Sequence, residues 1–68
     1  MTIWLNGEEA DLRTGASLAE AVAATGVARD SRGIAAAVDG EVVPHDRWEQ
    51  TRLADGQRVE VVQAVQGG

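Results

Sequence analysis

The first two segments of the chain alternate apolar and polar side chains, which is the pattern of half-buried β-strands. The apolar positions with this two-residue period are Ile3, Leu5, Ala10 and Leu12. Between the two segments lies Asn6-Gly7, and an Asn-Gly pair is the strongest short-range signal for a tight hairpin turn. Trp4 is out of phase with its apolar neighbours. The pattern therefore predicts an opening hairpin with Trp4 on the sheet face opposite the core.

A short helix is predicted next. Ser17 and Glu20 have the spacing of a capping box, in which the two side chains satisfy backbone N–H groups at the helix start. A stripe at helical spacing follows, formed by Leu18, Ala21, Val22 and Thr25. Gly26 lies where a glycine in the left-handed conformation ends a helix. A helix of about eight residues is not stable alone in water, so we expect it to pack on the sheet.

Turn signals divide the rest of the chain into three apolar segments. These segments are Ile34–Val38, Val42–Val43 and Val59–Val62. Asp39-Gly40 and Asp55-Gly56 are turn pairs, and turn chemistry explains each Asn or Asp that precedes a glycine. Pro44 ends a strand because proline cannot donate to a sheet ladder, and it can begin a short helical turn that carries Trp48.

Two hairpins therefore flank one helix, and a fifth strand closes the domain. A single helix covers one face of such a sheet, so the other face stays partly exposed. The connection through the helix predicts that the first and last strands lie side by side in the middle of the sheet. These conditions match an α+β domain with the ubiquitin-like β-grasp fold. We expect one domain over residues 1–62 and a flexible tail over residues 63–68.

Charge and composition exclude several classes of function. The 68 residues carry a net charge of −5 and contain no basic run, unlike a nucleic-acid-binding protein. Lysine is absent, which excludes Schiff-base chemistry and the lysine of a P-loop. There is no apolar stretch of about 18 residues and no signal-peptide pattern, so we expect a cytoplasmic protein without a membrane span.

The chain offers little for catalysis of its own. Cysteine is absent and His45 is the single histidine, so no zinc or iron–sulfur ligand set exists. Glu8-Glu9 flanks a turn and is typical of a solvated hairpin, while Ser17 is committed to the helix cap. We expect no catalytic residue, no metal and no bound cofactor, and we interpret His45 as a solvated turn residue.

The two tryptophans lead to different interpretations. Trp48 is assigned to packing. Trp4 is either covered, by the turn from Pro44 to Trp48 or by an edge, or exposed as an aromatic anchor for a partner, a role in which tryptophan is enriched. Val62 shares the face of Trp4 if the last strand lies beside the first. Trp4 and Val62 are therefore the candidate docking residues.

The end of the chain suggests a different kind of chemistry. The segment from Val65 and Gln66 to Gly67-Gly68 has neither charge nor proline, and it ends in two residues without side chains. Such a segment can pass extended through a narrow channel and present a terminal carboxylate, because glycine allows a close backbone approach. Adenylation by ATP would activate that carboxylate toward a thiol, a persulfide or an amine.

The chain resembles the ThiS family, the bacterial ubiquitin-like sulfur carriers of thiamine biosynthesis. The resemblance covers essentially the whole chain. The segments that carry it are Ile3–Glu8, Ala37–Pro44 running into Trp48, the Asp55-Gly56 turn and the terminal Gly67-Gly68. The terminal diglycine is common to all such carriers, whereas the Asp-Gly-Glu-Val-Val-Pro stretch before a tryptophan is more discriminating.

The resemblance implies a route for sulfur. An enzyme of the ThiF type uses ATP to adenylate Gly68, and sulfur drawn from cysteine by a desulfurase converts it to a thiocarboxylate. The carrier then delivers this sulfur to thiazole synthase. By position, Gly68 is the modified residue, and Gly67 lies next to it in the narrow channel that admits the tail. Val65 and Gln66 belong to the recognised tail.

Other classes remain open at this point. One is the small subunit of molybdopterin synthase, although its tail is usually preceded by aromatic residues and prolines that are missing here. Others are a sulfur carrier of another pathway, a protein modifier that forms isopeptide bonds through Gly68, and an interaction module without terminal chemistry.

Overall fold

A mixed β-sheet forms the framework of the domain. The computed structural model describes residues 1–27 and 33–63. The elements in these ranges are β1 (Thr2–Leu5), β2 (Glu8–Asp11), α1 (Leu18–Ala24), β3 (Ile34–Val38), β4 (Glu41–Val43), a 3₁₀ helix (His45–Gln50) and β5 (Arg58–Gln63). The five strands of the described ranges have the order β2-β1-β5-β3-β4. β1 and β5 are parallel and adjacent in the middle, while the other neighbours are antiparallel. The β-grasp prediction is confirmed.

Both predicted hairpins close through turns with positive backbone φ. Asn6 and Gly7 have φ values of 52° and 83°, and Asp39 and Gly40 have values of 50° and 85°. Two consecutive positive φ angles define the turn whose twist matches that of the flanking strands, and Asn-Gly and Asp-Gly are its favoured pairs. The sequence signal and the backbone geometry therefore agree at both hairpins.

The helix has both predicted ends. The Ser17 hydroxyl accepts a hydrogen bond from the Glu20 N–H at 3.3 Å, and the Glu20 carboxylate accepts one from the Ser17 N–H at 2.9 Å. This is a complete capping box. Gly26 follows the helix with a φ of 85°, the left-handed conformation expected of a terminating glycine.

The core lies between α1 and one face of the sheet. Its largest fully buried side chains are Ile3, Leu18, Val22 and Val59. Trp48, on the 3₁₀ helix, is also buried and donates from its indole Nε1 to the Val43 carbonyl at 2.9 Å. Trp48 is therefore a packing residue, as predicted. His45 is exposed, but its ring lies edge-on against Trp48 with 4.4 Å between the ring centroids.

One boundary differs from the sequence prediction. Gln63 was expected to be the first residue of the tail, but it is the last residue of β5 and pairs with Ile34 of β3. Backbone pairing does not depend on side-chain polarity, so the apolar run did not mark the end of the strand. Residues 28–32, between α1 and β3, and the rest of the predicted tail, residues 64–68, lie outside the described residues. No helix in the described ranges is long and apolar enough to span a membrane.

Candidate functional site

The sheet has one open face, and Trp4 lies on it. Trp4 is 41% exposed, because α1 and the 3₁₀ helix pack against each other on the opposite face. Of the two interpretations of Trp4, the structure therefore agrees with the exposed one.

The register of the strands defines the composition of the open face. Paired residues of neighbouring strands project to the same face, and successive residues of a strand alternate between faces. The apolar side chains on the face of Trp4 are Ala35, Ala37, Val42 and Val62. Val42 and Val62 are 73% and 59% exposed. Large apolar side chains exposed on one face of a small domain are typical of an interaction surface.

Trp4 and Val62 share the open face, as predicted, but they are not neighbours. Trp4 lies opposite Arg58 at the start of β5, whereas Val62 lies opposite Ala35 near its end. Arg58 and Val62 are four positions apart on β5, which corresponds to about 13 Å along the strand. Any partner that contacts both must therefore cover much of the sheet.

A shallow groove runs beside Trp4. It is lined by Trp4, Gly7, Arg58, Val59 and Glu60 and has a volume of about 320 Å³. Its lining combines the aromatic side chain of Trp4 with one basic residue, Arg58, and one acidic residue, Glu60. It can receive a side chain from a partner, but it is open and holds no set of groups suited to catalysis.

The charges on the open face are mainly negative. Glu9 lies directly opposite Trp4 on β2, and Asp11 and Glu60 project from the same face. Arg58 is the basic side chain that the described residues place there. A basic partner surface would complement this pattern, in agreement with the net charge of −5.

Two carboxyl groups away from this face have perturbed pKa values, and both belong to turns or caps. Hydrogen bonds from the Arg13 side chain and then from the Ser17 backbone lower the pKa of Glu20 from 4.5 to about 2. The Arg58 backbone N–H and then the Gln57 side chain lower the pKa of Asp39. Each shift comes from hydrogen bonds that hold the fold, so neither indicates an acid–base catalyst.

The candidate groups for catalysis are not brought together. Within residues 1–27 and 33–63, no cluster of three or more His, Asp or Glu side chains could hold a metal ion. Ser17 is occupied by its cap, and Glu8 and Glu9 are exposed on β2. The tail residues Val65, Gln66, Gly67 and Gly68 lie outside the described residues.

Sequence reasoning missed one feature next to the tail. The Asn6 side chain does more than favour a turn, because its Oδ1 accepts a hydrogen bond from the Val61 N–H at 2.8 Å. This contact joins the first hairpin to the strand that leads into the tail. An Asn before Gly signals the turn, but it does not reveal which strand the amide will reach.

The sequence model of the ThiS family matches residues 3–68. This chain belongs to the ThiS family. The match includes the terminal Gly67-Gly68, and it supports a sulfur carrier of the thiamine pathway.

Two solved structures are similar to this chain. The crystal structure of the thiamine biosynthesis protein ThiS from Geobacter metallireducens has a TM-score of 0.79 at 24% identity, covering 100% of both chains. The NMR solution structure of a thiamine biosynthesis protein from Geobacter metallireducens has a TM-score of 0.78 at 26% identity, covering 100% of this chain and 88% of that one. No curated protein matches the sequence. The likeness extends over the complete fold, so the ThiS family assignment and the β-grasp architecture agree.

Proposed function

We propose that this chain is a cytoplasmic sulfur carrier that supplies the sulfur of the thiamine thiazole. The observation that carries the proposal is the family match, which runs through the β-grasp domain to the terminal diglycine. The reacting group is then the carboxylate of Gly68, and partner proteins supply the catalysis.

The chemistry has three steps. A carboxylate oxygen of Gly68 attacks the α-phosphorus of ATP on a ThiF-type enzyme, which releases pyrophosphate and forms an acyl-adenylate. A cysteine persulfide, generated by a desulfurase, then attacks the acyl carbon and AMP leaves. A thiol cleaves the resulting acyl disulfide, so the carrier ends in a thiocarboxylate and the sulfur-donating cysteine is left in a disulfide with that thiol.

Delivery requires that thiazole synthase recognise both the domain and its tail. The thiocarboxylate sulfur is the nucleophile that enters the thiazole. Gly67 and Gly68 offer a backbone without Cβ atoms in the narrow approach to the reacting centre. Gln66 and Val65 are the preceding tail contacts. The carrier itself binds no cofactor, and ATP binds to the activating enzyme.

The partners dock on the open sheet face in this proposal. Trp4 is the central anchor because it is a large exposed aromatic side chain beside a groove, and tryptophan is enriched among residues that dominate binding energy. Val62 extends the apolar contact toward the tail. The acidic residues around Trp4 favour basic partner surfaces.

Intact-mass measurement on protein isolated from its native cells tests the proposal. We expect a species heavier than the unmodified chain by the exchange of one oxygen for sulfur, located at Gly68. The mass also tests whether Gly68 carries the free carboxylate that the proposal requires. Deletion of Gly68 should abolish the species and the function, whereas Gln50→Ala, at an exposed position of the 3₁₀ helix away from the open face, should retain the terminal sulfur.

Nutrient rescue separates the pathways. A strain without this chain should grow again when thiazole is supplied. Rescue that instead required molybdenum cofactor would assign the chain to molybdopterin synthesis. Covalent adducts with other proteins, without a sulfur-bearing terminus, would assign it to the protein modifiers.

A further inference from the structure

β5 presents backbone groups to β1 at every second residue. The Asn6 N–H donates to the Val59 carbonyl at 2.9 Å, and the Val61 N–H donates to the Asn6 side chain at 2.8 Å. The N–H and C=O of one residue in a strand point to the same side, and the next residue points to the other. Val59, Val61 and Gln63 therefore direct their backbone groups toward the β1 side of the strand.

β1 does not extend far enough to pair with the end of β5. Its last partner in the register is Leu5 opposite Val59, after which the chain turns away at Asn6-Gly7. The Asn6 amide oxygen replaces the missing backbone acceptor for the Val61 N–H. The Val61 carbonyl and both backbone groups of Gln63 then project past the turn, where the described residues provide no strand opposite them.

The other side of β5 is fully paired over the same residues. Val62 lies opposite Ala35 and Gln63 opposite Ile34 in the antiparallel register with β3. Because Arg58 exchanges hydrogen bonds with Asp39 on that side, the alternation assigns the Glu60 and Val62 backbone groups to β3 as well. The open backbone edge is thus confined to one side of the last residues before the tail.

The two outer edges of the sheet carry features that discourage pairing with a further strand, whereas this inner edge does not. β2 carries Glu8, Glu9 and Asp11, and β4 has three residues before Pro44. Charges, short strands and proline all discourage pairing with a further strand. A Cβ placed on Gly7 would have no atom within 4 Å, so among the described residues this side of the turn is not packed against another element.

We infer that the end of β5 on the β1 side is a strand-addition site for an extended segment of the activating enzyme. This inference rests on the proposed function, because that enzyme must hold the chain close to Gly68. The site and the carboxylate are separated by residues 64–68, which span at most about 18 Å when extended. Backbone pairing at Val61 and Gln63 would fix the direction in which the tail leaves the sheet, independently of side-chain identity.

Amide hydrogen exchange tests the open edge in the free protein. The Val62 N–H is a ladder donor to β3 and should exchange slowly, whereas the Gln63 N–H should exchange much faster. This comparison does not depend on the proposed function. Equally slow exchange at Val62 and Gln63 in the free protein would overturn the inference.

The same measurement in complex with a ThiF-type enzyme and ATP tests the occupant. We expect the Gln63 amide to become protected, with little change at Val62. An enzyme that adenylates the chain while the Gln63 amide stays unprotected would overturn the inference and leave the proposed function intact. If the enzyme does not adenylate the chain, the proposed function fails, and with it the named occupant.

Proline substitution provides a second test. Gln63→Pro removes an N–H that the β3 ladder does not use, so the domain should stay folded by circular dichroism. Its affinity for the enzyme should fall by about fivefold or more, which corresponds to one lost backbone hydrogen bond. Gln63→Ala keeps the N–H and should bind like the wild type. Equal weakening in both variants would assign the effect to the Gln63 side chain and contradict strand addition.

Discussion

Asn6 and Asp39 occupy equivalent positions in the two hairpins, and both hold their hairpin to β5. The Asn6 N–H donates to Val59 and its side-chain oxygen accepts from the Val61 N–H at 2.8 Å. The Asp39 N–H donates to Arg58 and its carboxylate accepts from the Arg58 N–H at 3.0 Å. The central strand is therefore fixed by a turn residue on each side, one neutral and one charged.

The Asn6 contact should contribute measurably to stability. Asn6→Gly keeps the positive φ of the turn but removes the acceptor of the Val61 N–H. We expect the free energy of unfolding to fall by about 1 kcal/mol in chemical denaturation, the usual net value of such a hydrogen bond. Asn6→Asp retains the oxygen and the turn preference, as Asp39 shows in the other hairpin, and should stay close to wild type. Equal stability of the Gly and Asp variants would contradict this role.

Two valines on β5 provide a matched test of the two sheet faces. Val59 is fully buried in the core, whereas Val62 is 59% exposed on the open face. Val59→Ala should lower the free energy of unfolding by about 2 kcal/mol, because it removes two buried methyl groups from the centre of the sheet. Val62→Ala should change it by less than about 0.5 kcal/mol. A similar loss in both variants would mean that the open face is covered in the free protein.

The elements of this fold could be predicted because each has a local signal. The capping box at Ser17, the turn pairs and the two-residue period all act within a few residues, and Gly26 ends the helix as expected. The long-range contacts had no such signal. The Val61 N–H bond to Asn6 joins residues 55 positions apart, and the pairing of Gln63 with Ile34 depends on the register of β3.

The candidate site was predictable in part for the same reason. The alternation around Trp4 correctly placed it on the open face, and the parallel pairing of β1 with β5 placed Val62 there too. The distance between them along β5 could not be predicted, because it depends on where β1 meets β5 in the register.

The pH dependence of stability should include a contribution from Glu20. Its pKa is lowered in the folded state from 4.5 to about 2, first by the Arg13 side chain and then by the Ser17 backbone. A depressed carboxyl pKa stabilises the fold above the unfolded-state pKa, and this stabilisation is lost as the pH falls from about 5 toward 2. We therefore expect the melting temperature of the wild type to fall more steeply over this range than that of Glu20→Gln.

Comparing the wild type with Glu20→Gln cancels the contributions of the other titrating groups to the melting temperature. Asp39 also has a lowered pKa, but it titrates in both proteins and cancels in the difference. Because Glu20 bonds to Arg13 at the surface, high salt should reduce the difference. A difference in melting temperature that stays constant from pH 7 to pH 2 would contradict the role of the ionised Glu20.

Trp4 should matter for binding and not for folding. The indole is 41% exposed and lies beside the groove on the open face, so Trp4→Ala should change the free energy of unfolding by less than about 1 kcal/mol. If Trp4 is the docking anchor, the same change should weaken binding to a ThiF-type enzyme or to thiazole synthase by at least about 1 kcal/mol, measured by titration calorimetry. Gln50→Ala is the control, since Gln50 is exposed on the 3₁₀ helix, away from the open face, and its loss should leave the affinity unchanged. Trp4→Phe should recover part of the affinity, because a ring still fills the groove. Unchanged affinity in Trp4→Ala would exclude Trp4 as an anchor and move the docking surface elsewhere on the domain.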